Sequence, residues 1–455
     1  MAAERILSSF RDPSGYVFRE DGAFFRRITP QGLPDYGQFL RSGLADELVK
    51  AGLLVPFEEI SRDASGAVLR LETVPFISYP YEWSFSQLRE AALLTLMILR
   101  RALDRGLVLK DASAFNVAFR NGRPIFLDHT SFAMRREDEP WRAYRQFCSH
   151  FLCPLLLMRK VDLRCLSLFR TDLGGIPLDL TSKLLPRSTW LNPNVLIHIH
   201  LHTRFDRRYS ADAESRKIPA MSQQQLENMV RSLEDWIGKM TAPKQETQWA
   251  EYYDRTSYSE TSFQFKKNCV EAMCRELRPE STLDLGANSG VFSEIAAQYS
   301  RQVIAADYDP QAVDRLYRIS RKGSVDFQPV LLDLNNPSPA VGVFNEERMP
   351  FFERCRSSLV LGLALIHHLR ITGNWTPGQI ARLFSACAPA ALVEFVPLED
   401  VQVRRLIRGR EELFRDWTLD AMLEAFRPEY SRIETAVIPD SPRTLIKLYK
   451  NGADL

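Results

Sequence analysis

The stretch from Ser281 to Asp309, STLDLGANSGVFSEIAAQYSRQVIAADYD, constrains this chain more than any other. An apolar run carrying one acid, Thr282 to Leu285, leads into Gly286-Ala-Asn-Ser-Gly290. An amphipathic helix through about Tyr299 follows, then a second apolar run, Val303 to Ala306, closed by Asp307. Strand, glycine turn, helix, strand and acid in that order predict a nucleotide-type site at the carboxyl end of a parallel sheet. Gly286 lets the chain turn sharply off the strand, and Gly290 lets the start of the helix lie close to a ligand. Asp307 stands about 20 residues beyond the first strand, where such a site places the acid that takes ribose hydroxyls.

The turn discriminates between ligands. A pyrophosphate-binding turn reads GxGxxG, whereas this one reads GxNxG with Asp284 two residues before the first glycine. An acid so close repels phosphate and attracts a cationic amino group. S-adenosylmethionine carries an ammonium, a sulfonium and no phosphate, so it suits the turn better than NAD. LDLGANSG resembles motif I of the class I S-adenosylmethionine-dependent methyltransferases, and VIAADYD resembles their motif II. Asn288 replaces the usual middle glycine and tolerates left-handed backbone. An ordinary glycine-rich turn in another α/β domain is the competing reading.

The resemblance implies a Rossmann-like seven-stranded sheet over residues 245–455, with S-adenosyl-L-methionine held by Asp284, Gly286, Asn288, Gly290, Asp307 and Asp333. Asp333, closing a strand over Ser324 to Asp333, is implied to accept the adenine amino group. Pro310 to Arg321 reads as a helix with proline in its first turn. Ser357 to Ala364 is nearly all apolar, as in a strand buried on both faces. Leu365-Ile-His-His-Leu lies at its carboxyl end, and Ala390 to Val396 is a fifth strand carrying Glu394. His367, His368 and Glu394 are the candidate catalytic groups, since removing a hydroxyl proton needs a base near the methyl-transfer centre. Val401 to Leu423 reads as a helix, and Ser431 to Ile438 and Arg443 to Tyr449 as closing strands. Trp249, Tyr252, Tyr253 and Tyr258, before a helix over Phe263 to Leu277, are candidates for closing over the cofactor by cation–π attraction. No Asn-Pro-Pro-Tyr follows the fourth strand, which disfavours methylation of DNA base amino groups.

The first third reads differently. Gly15 to Phe18 and Ala23 to Ile28 flank a turn and predict a hairpin. A helix is predicted over Tyr36 to Leu54, strands near Phe57 and over Ala67 to Thr73, and a helix over Ser84 to Asp104 capped by Ser84. Asp111 and Asn116 are spaced D-x4-N, and a hairpin at Asn121-Gly122 returns a strand ending in Asp128. This arrangement resembles the catalytic loop and metal-binding acid of protein kinases and aminoglycoside-type phosphotransferases. The resemblance implies an α+β kinase-like lobe over 1–135, with a possible site at Asp111, Asn116 and Asp128. The departures point to a degenerate lobe. No glycine-rich loop precedes Tyr16, Arg26 and Arg27 stand where a lysine belongs, and Leu109 replaces the loop histidine. Glu47 is a candidate partner for one of those arginines.

Residues 136–240 read as a mostly helical connector. Pro140 to Met158 is helical and aromatic, Thr171 to Pro193 irregular, and Val195 to His202 alternates so that His198, His200 and His202 share one strand face. Three imidazoles suggest zinc, but no cysteine or acid completes the set and no metal is expected. Phe205 to Lys217 reads as a solvated loop, Ser222 to Met240 as a helix, and 241–247 as the linker.

Length and composition set the remaining bounds. The 455 residues suffice for two or three domains, and 45% hydrophobic with 25% charged residues suit a globular protein. A net charge of +2 gives no cationic field for nucleic acid. Seven cysteines without a CxxC read as reduced thiols in a cytoplasmic protein. No signal peptide or membrane span is expected. Over its whole length the chain resembles a bacterial group containing rhizobial host-specific nodulation methyltransferase-like proteins, through LKDASAFN, LDLGANSG and ALIHHL. The implied function is methylation of a small-molecule, sugar or glycolipid hydroxyl. The alternatives are a phosphotransferase, and a kinase-like binding module beside a methyltransferase fold that serves as a scaffold.

Overall fold

The structure, a computed structural model, describes residues 4–137, 139–203, 220–243, 259–323 and 326–451. The chain forms two compact units: residues 1–244 with 340–349, and residues 245–339 with 350–455. Segments 1–135 and 136–240 therefore fall in one unit, joined by a decapeptide from much later in the sequence.

The first unit begins with a five-stranded sheet in the order β1-β2-β3-β5-β4, formed by β1 (Glu4–Arg5), β2 (Gly15–Glu20), β3 (Ala23–Ile28), β4 (Phe57–Asp63) and β5 (Gly66–Leu71). The expected hairpin is β2–β3, with Glu20 opposite Ala23. The helix expected over 36–54 is interrupted: helices Leu33–Arg41 and Leu44–Lys50 meet at Gly43, whose φ of 72° no continuous helix accommodates. Helix Phe85–Leu103 starts at Ser84, whose hydroxyl accepts from the Gln87 amide while the Gln87 side chain accepts from the Ser84 amide. That reciprocal cap satisfies two otherwise orphaned donors in a buried place. Short strands β6 (Leu107–Leu109), β7 (Val117–Arg120), β8 (Arg123–Phe126) and β9 (Phe132–Met134) follow, with β7–β8 the hairpin at Asn121-Gly122.

Two expectations for the connector are corrected. Val195 to His202 is no strand, because Leu196–Leu201 is π-helical and continues a turn begun at Pro193. Asn192 caps that turn through its side-chain oxygen, a start signal stronger than the short alternation that follows it. The segment 171–193 contains helix Leu178–Leu184 rather than irregular chain alone. The aromatic stretch behaves as core: Phe147 and Phe151 are buried along helix Tyr144–Phe147 and the π-helical turn Cys148–Leu152. Trp141 is buried in the non-helical chain just before them, so the helix expected from Pro140 starts at Tyr144. Helix Gln223–Gly238, capped by Ser222, lies against helix Phe85–Leu103.

The second unit is a seven-stranded sheet in the order β12-β11-β10-β13-β14-β16-β15. Its strands are β10 (Ser281–Leu285), β11 (Gln302–Asp307), β12 (Gln328–Leu331), β13 (Leu359–Gly362), β14 (Ala390–Phe395), β15 (Arg432–Val437) and β16 (Thr444–Tyr449). The first five are parallel, and β16 runs antiparallel between β14 and β15. Residues of β13 and β14 are buried throughout, as continuous apolar strands under two layers of helices require. The helix expected over 401–423 is three pieces, Val401–Ile407, Glu411–Phe414 and Leu419–Phe426, separated at Gly409 with φ of 75° and at the cap Thr418. All seven cysteines are free thiols, and among the described residues no helix is long and apolar enough to cross a membrane. The predicted loop 205–217 and the aromatics Trp249, Tyr252, Tyr253 and Tyr258 lie outside the described residues.

Candidate functional site

The chain turns one way from β10 to β11 and the other way to β13, so β10 and β13 flank the reversal of strand order. A crevice outside the carboxyl ends of the strands opens at such a reversal. Three segments converge there: the turn 286–290 after β10, Asp307 ending β11, and Leu363 to His368 after β13.

The turn is built on three left-handed residues, Gly286 (φ 76°), Asn288 (φ 45°) and Gly290 (φ 84°). Its two glycines do different things. A Cβ on Gly286 would meet nothing closer than Leu365 Cδ1 at 3.5 Å, so that glycine serves the backbone bend and leaves the crevice clear. A Cβ on Gly290 would stand 2.7 Å from Leu316 Cδ2, so this glycine admits helix Pro310–Lys322 rather than a ligand. The Asn288 amide donates to Asp307 Oδ2 at 2.9 Å, and the Asp309 amide to Asp307 Oδ1 at 2.8 Å. Turn and acid are thereby fixed to each other. Protein crowding around the Asp307 carboxylate pushes its pKa up to about 6, against the lowering effect of those amides.

Asp284 is buried and accepts from Ser293 Oγ at 2.6 Å. Burial drives its pKa up to about 7; the Ser293 hydrogen bond opposes this, nearby Asp307 adds to it, and Lys266 opposes it. Asp333 lies just past β12, partly exposed, with its carboxylate accepting the Asn335 amide at 2.9 Å. Of the predicted cofactor set, Gly286, Asn288 and Asp307 are joined at the strand ends, Asp333 lies just past the neighbouring strand, and Asp284 and Gly290 are packed inside the protein.

The catalytic candidates stand differently. Helix Ile366–Ile371 carries His367 and His368 in contact, ring centroids 4.1 Å apart. His367 is fully buried, and neither ring nitrogen has a hydrogen-bond partner among the described residues. Burial, with His368, Arg443 and Lys266 nearby, holds it far below the ordinary histidine range, and burial brings His368 to about 4. Glu394 is also fully buried and ion-paired twice, to Lys266 Nζ at 2.7 Å and Arg443 Nη1 at 3.4 Å. Its Oε2 further accepts the Ala364 amide at 2.9 Å, and Arg443 Nε binds Asp400 Oδ2 at 2.8 Å. Ala364 itself has φ of 51°, a strained value for alanine. The sequence reading missed Lys266, Asp400 and Arg443. Nothing in their spacing marks them, since they come from a helix before the sheet, a loop after β14 and the turn into β16.

In the first unit, Asp111, Asn116 and Asp128 line a cavity of about 1460 Å³. Their connections differ from those of a metal site. Asp128 is buried and paired with Arg26 Nη1 at 2.6 Å; it also accepts from Thr130 Oγ1 at 2.6 Å and from Ser131 Oγ. Arg26 holds its carboxyl below the usual range despite burial. Asn116 donates to Ser131 Oγ at 3.2 Å. Burial raises the Asp111 pKa, and the charge of Asp128 raises it further. Glu47 pairs not with Arg26 or Arg27 but with Arg101 and Arg105, at 3.3 and 2.8 Å. The three connector histidines do not share a face toward an ion. His198 pairs with the Tyr144 hydroxyl, while His200 bonds Ser182 and Thr189 and stacks on Trp190 at 4.2 Å.

Sheet order, glycine turn and strand-end acids together give the second unit the architecture of the class I S-adenosylmethionine-dependent methyltransferase fold. The chain is 33% identical, over 97% of its length and 95% of the relative's, to nodulation protein NoeA of Rhizobium meliloti (strain 1021), and it belongs to that protein's family. No protein-family profile matches it. Among solved structures it is similar to the N-methyltransferase NodS of Bradyrhizobium japonicum WM9 with S-adenosyl-L-homocysteine (11% identity, 45% of this chain, 95% of the other, TM-score 0.34). It is also similar to magnesium protoporphyrin IX methyltransferase ChlM of Synechocystis PCC 6803 with bound SAM (12% identity, 46% and 87%, TM-score 0.29). Likenesses this low say nothing about what the chain acts on.

Proposed function

We propose that the second unit methylates a hydroxyl on a small molecule, sugar or glycolipid, using S-adenosylmethionine. The observation that carries the reading is the joined turn and acid, where Asp307 is pinned to the Asn288 amide beside the open face of Gly286. When bound, the cofactor supplies an electrophilic methyl group for in-line displacement. Asp307 would take the ribose hydroxyls and Asp333 the adenine amino group. Asp284, an anion poised near neutrality, would face the methionine ammonium.

The remaining residues set up the approach of the acceptor. His367 and His368 are held neutral by burial, so an imidazole nitrogen can accept a hydrogen bond from the acceptor hydroxyl, while the same burial disfavours the imidazolium that full proton transfer would create. Glu394 serves as a positioning residue. Two cations and the Ala364 amide occupy it, and through Ala364 it fixes the chain that enters the histidine helix. Calorimetry with S-adenosylmethionine, S-adenosylhomocysteine, NAD and ATP tests the assignment. The first two should bind, and Asp307→Ala should weaken both about tenfold or more through loss of charge-assisted hydrogen bonds. Binding of NAD alone would overturn the reading.

A further inference from the structure

The cavity of the first unit contains a cation that lacks a counterion. Arg348 lines it and is 8% exposed. Its guanidinium lies over the Phe115 ring at 4.3 Å, Nη1 donates to the Ser8 and Glu347 carbonyls at 3.1 Å each, and Nε has no partner. No carboxylate of the described residues lies within ion-pairing distance of it. Its chain neighbour Glu347 is committed elsewhere, gripped by Arg11 through two bonds at 3.0 and 3.1 Å. A buried charge held at contact by carbonyls and a ring face, with Glu347, Tyr79 and Tyr81 favouring it only at longer range, is costly, and an anion is what relieves it.

The chain takes some trouble to place this side chain. Arg348 pairs with Val341 as an antiparallel bridge, across a loop in which Gly342 has φ of 89° and cannot carry a Cβ, because Glu347 Cβ would stand 2.4 Å away. Phe115 immediately precedes Asn116, so the arginine stacks beside the Asp111–Asn116 segment. Every residue lining the cavity belongs to the first unit.

A divalent cation is poorly served here. A hard metal needs free carboxylate oxygens, and the Asp128 carboxylate is already occupied by Arg26 and two hydroxyls. Lys110 is likewise engaged, with Asp35 at 3.1 Å. Asp111 and Asn116 hydrogen-bond each other, with Ser113 and Gln146 also on Asp111 and Ser131 on Asn116. They form a polar pair that can exchange some of these bonds for ligand hydroxyls, and the volume admits a ligand larger than a lone ion.

We propose that this cavity binds, without metal, a polyol bearing one phosphate or carboxylate: Arg348 takes the oxyanion while Asp111 and Asn116 hold hydroxyls of its body. Isothermal titration of the full chain in EDTA, with glucose, glucose 6-phosphate and glucuronate as probes, tests this. At least one of the two acids should bind saturably and about tenfold or more tighter than glucose, and the tighter acid identifies the oxyanion. Arg348→Gln should abolish that preference while leaving S-adenosylhomocysteine binding unchanged, which also reports that the variant is folded. Arg348→Lys, which keeps the charge but loses the planar fork, should retain part of it. Equal binding of acids and glucose, dependence on Mg²⁺, or an undiminished preference in Arg348→Gln overturns the proposal. Because the readout is anion affinity, its failure leaves the methyltransferase reading untouched, and the converse also holds.

Discussion

At the scale of single residues, the second unit contains more buried charge than an ordinary core. Lys266, Glu394, Arg443 and Asp400 balance as two cations and two anions, nearly all of them out of solvent. Removing one member leaves a partner charged and unpaired, so Glu394→Gln should lower stability by about 3–5 kcal/mol in chemical denaturation. Asp284 predicts the opposite trend. Below about pH 4 its carboxyl is protonated folded or unfolded. As pH rises through about 7 the folded state must hold a buried anion, and the stability drawn from this group is lost. The ligand-free protein should therefore melt lower at pH 8 than at pH 5, and Asp284→Asn should flatten that slope while weakening S-adenosylmethionine binding. With His368 near 4 and His367 lower than ordinary, the rate should show no histidine limb between pH 6 and 8. An inflection near 6.5 that disappears in His367→Ala would contradict this placement of the imidazole. The sequence marked Asp284, Asp307 and both histidines because strand ends advertise them. It left Arg348 unmarked, since the ring it stacks on lies more than two hundred residues earlier.

At the scale of elements, two kinds of signal were readable to different degrees. Strands β10, β11, β13 and β14 were legible because burial on both faces leaves mostly apolar runs, and Gly286 to Gly290 because only particular residues turn that corner. The segment Val195 to His202 was not, because its imidazoles at every second position imitate a strand, while its capping by Asn192 belongs to a helix. The break of the first-unit helix at Gly43 and of the late helix at Gly409 depends on backbone angles that composition only hints at. Two substitutions weigh these local signals. Gly290→Ala must hold φ of 84° and displace Leu316, and should lower stability by about 1–2 kcal/mol as followed by thermal melting. Ser84→Ala removes the acceptor of a buried cap and should destabilise the first unit by about 1 kcal/mol in urea titration.

At the scale of the whole molecule, each unit has its own core and its own candidate ligand. S-adenosylhomocysteine at about one hundred times its dissociation constant should stabilise its host by about 2.7 kcal/mol. Hydrogen exchange should locate the added protection at 281–307 and 359–371; protection confined to 110–150 would contradict the site. The family relationship covers nearly the full length of both chains, so it includes both units. The first unit is not contiguous in sequence, since 340–349 fold with 1–244. No single cut of the backbone therefore yields both halves whole. A fragment ending at residue 244 would begin life without Glu347, leaving Arg11 unmatched, and without the arginine at the heart of its own cavity. Dissecting this protein by truncation would thus report a defect of the knife, whereas grafting the decapeptide back through a short linker should restore what the cut removed.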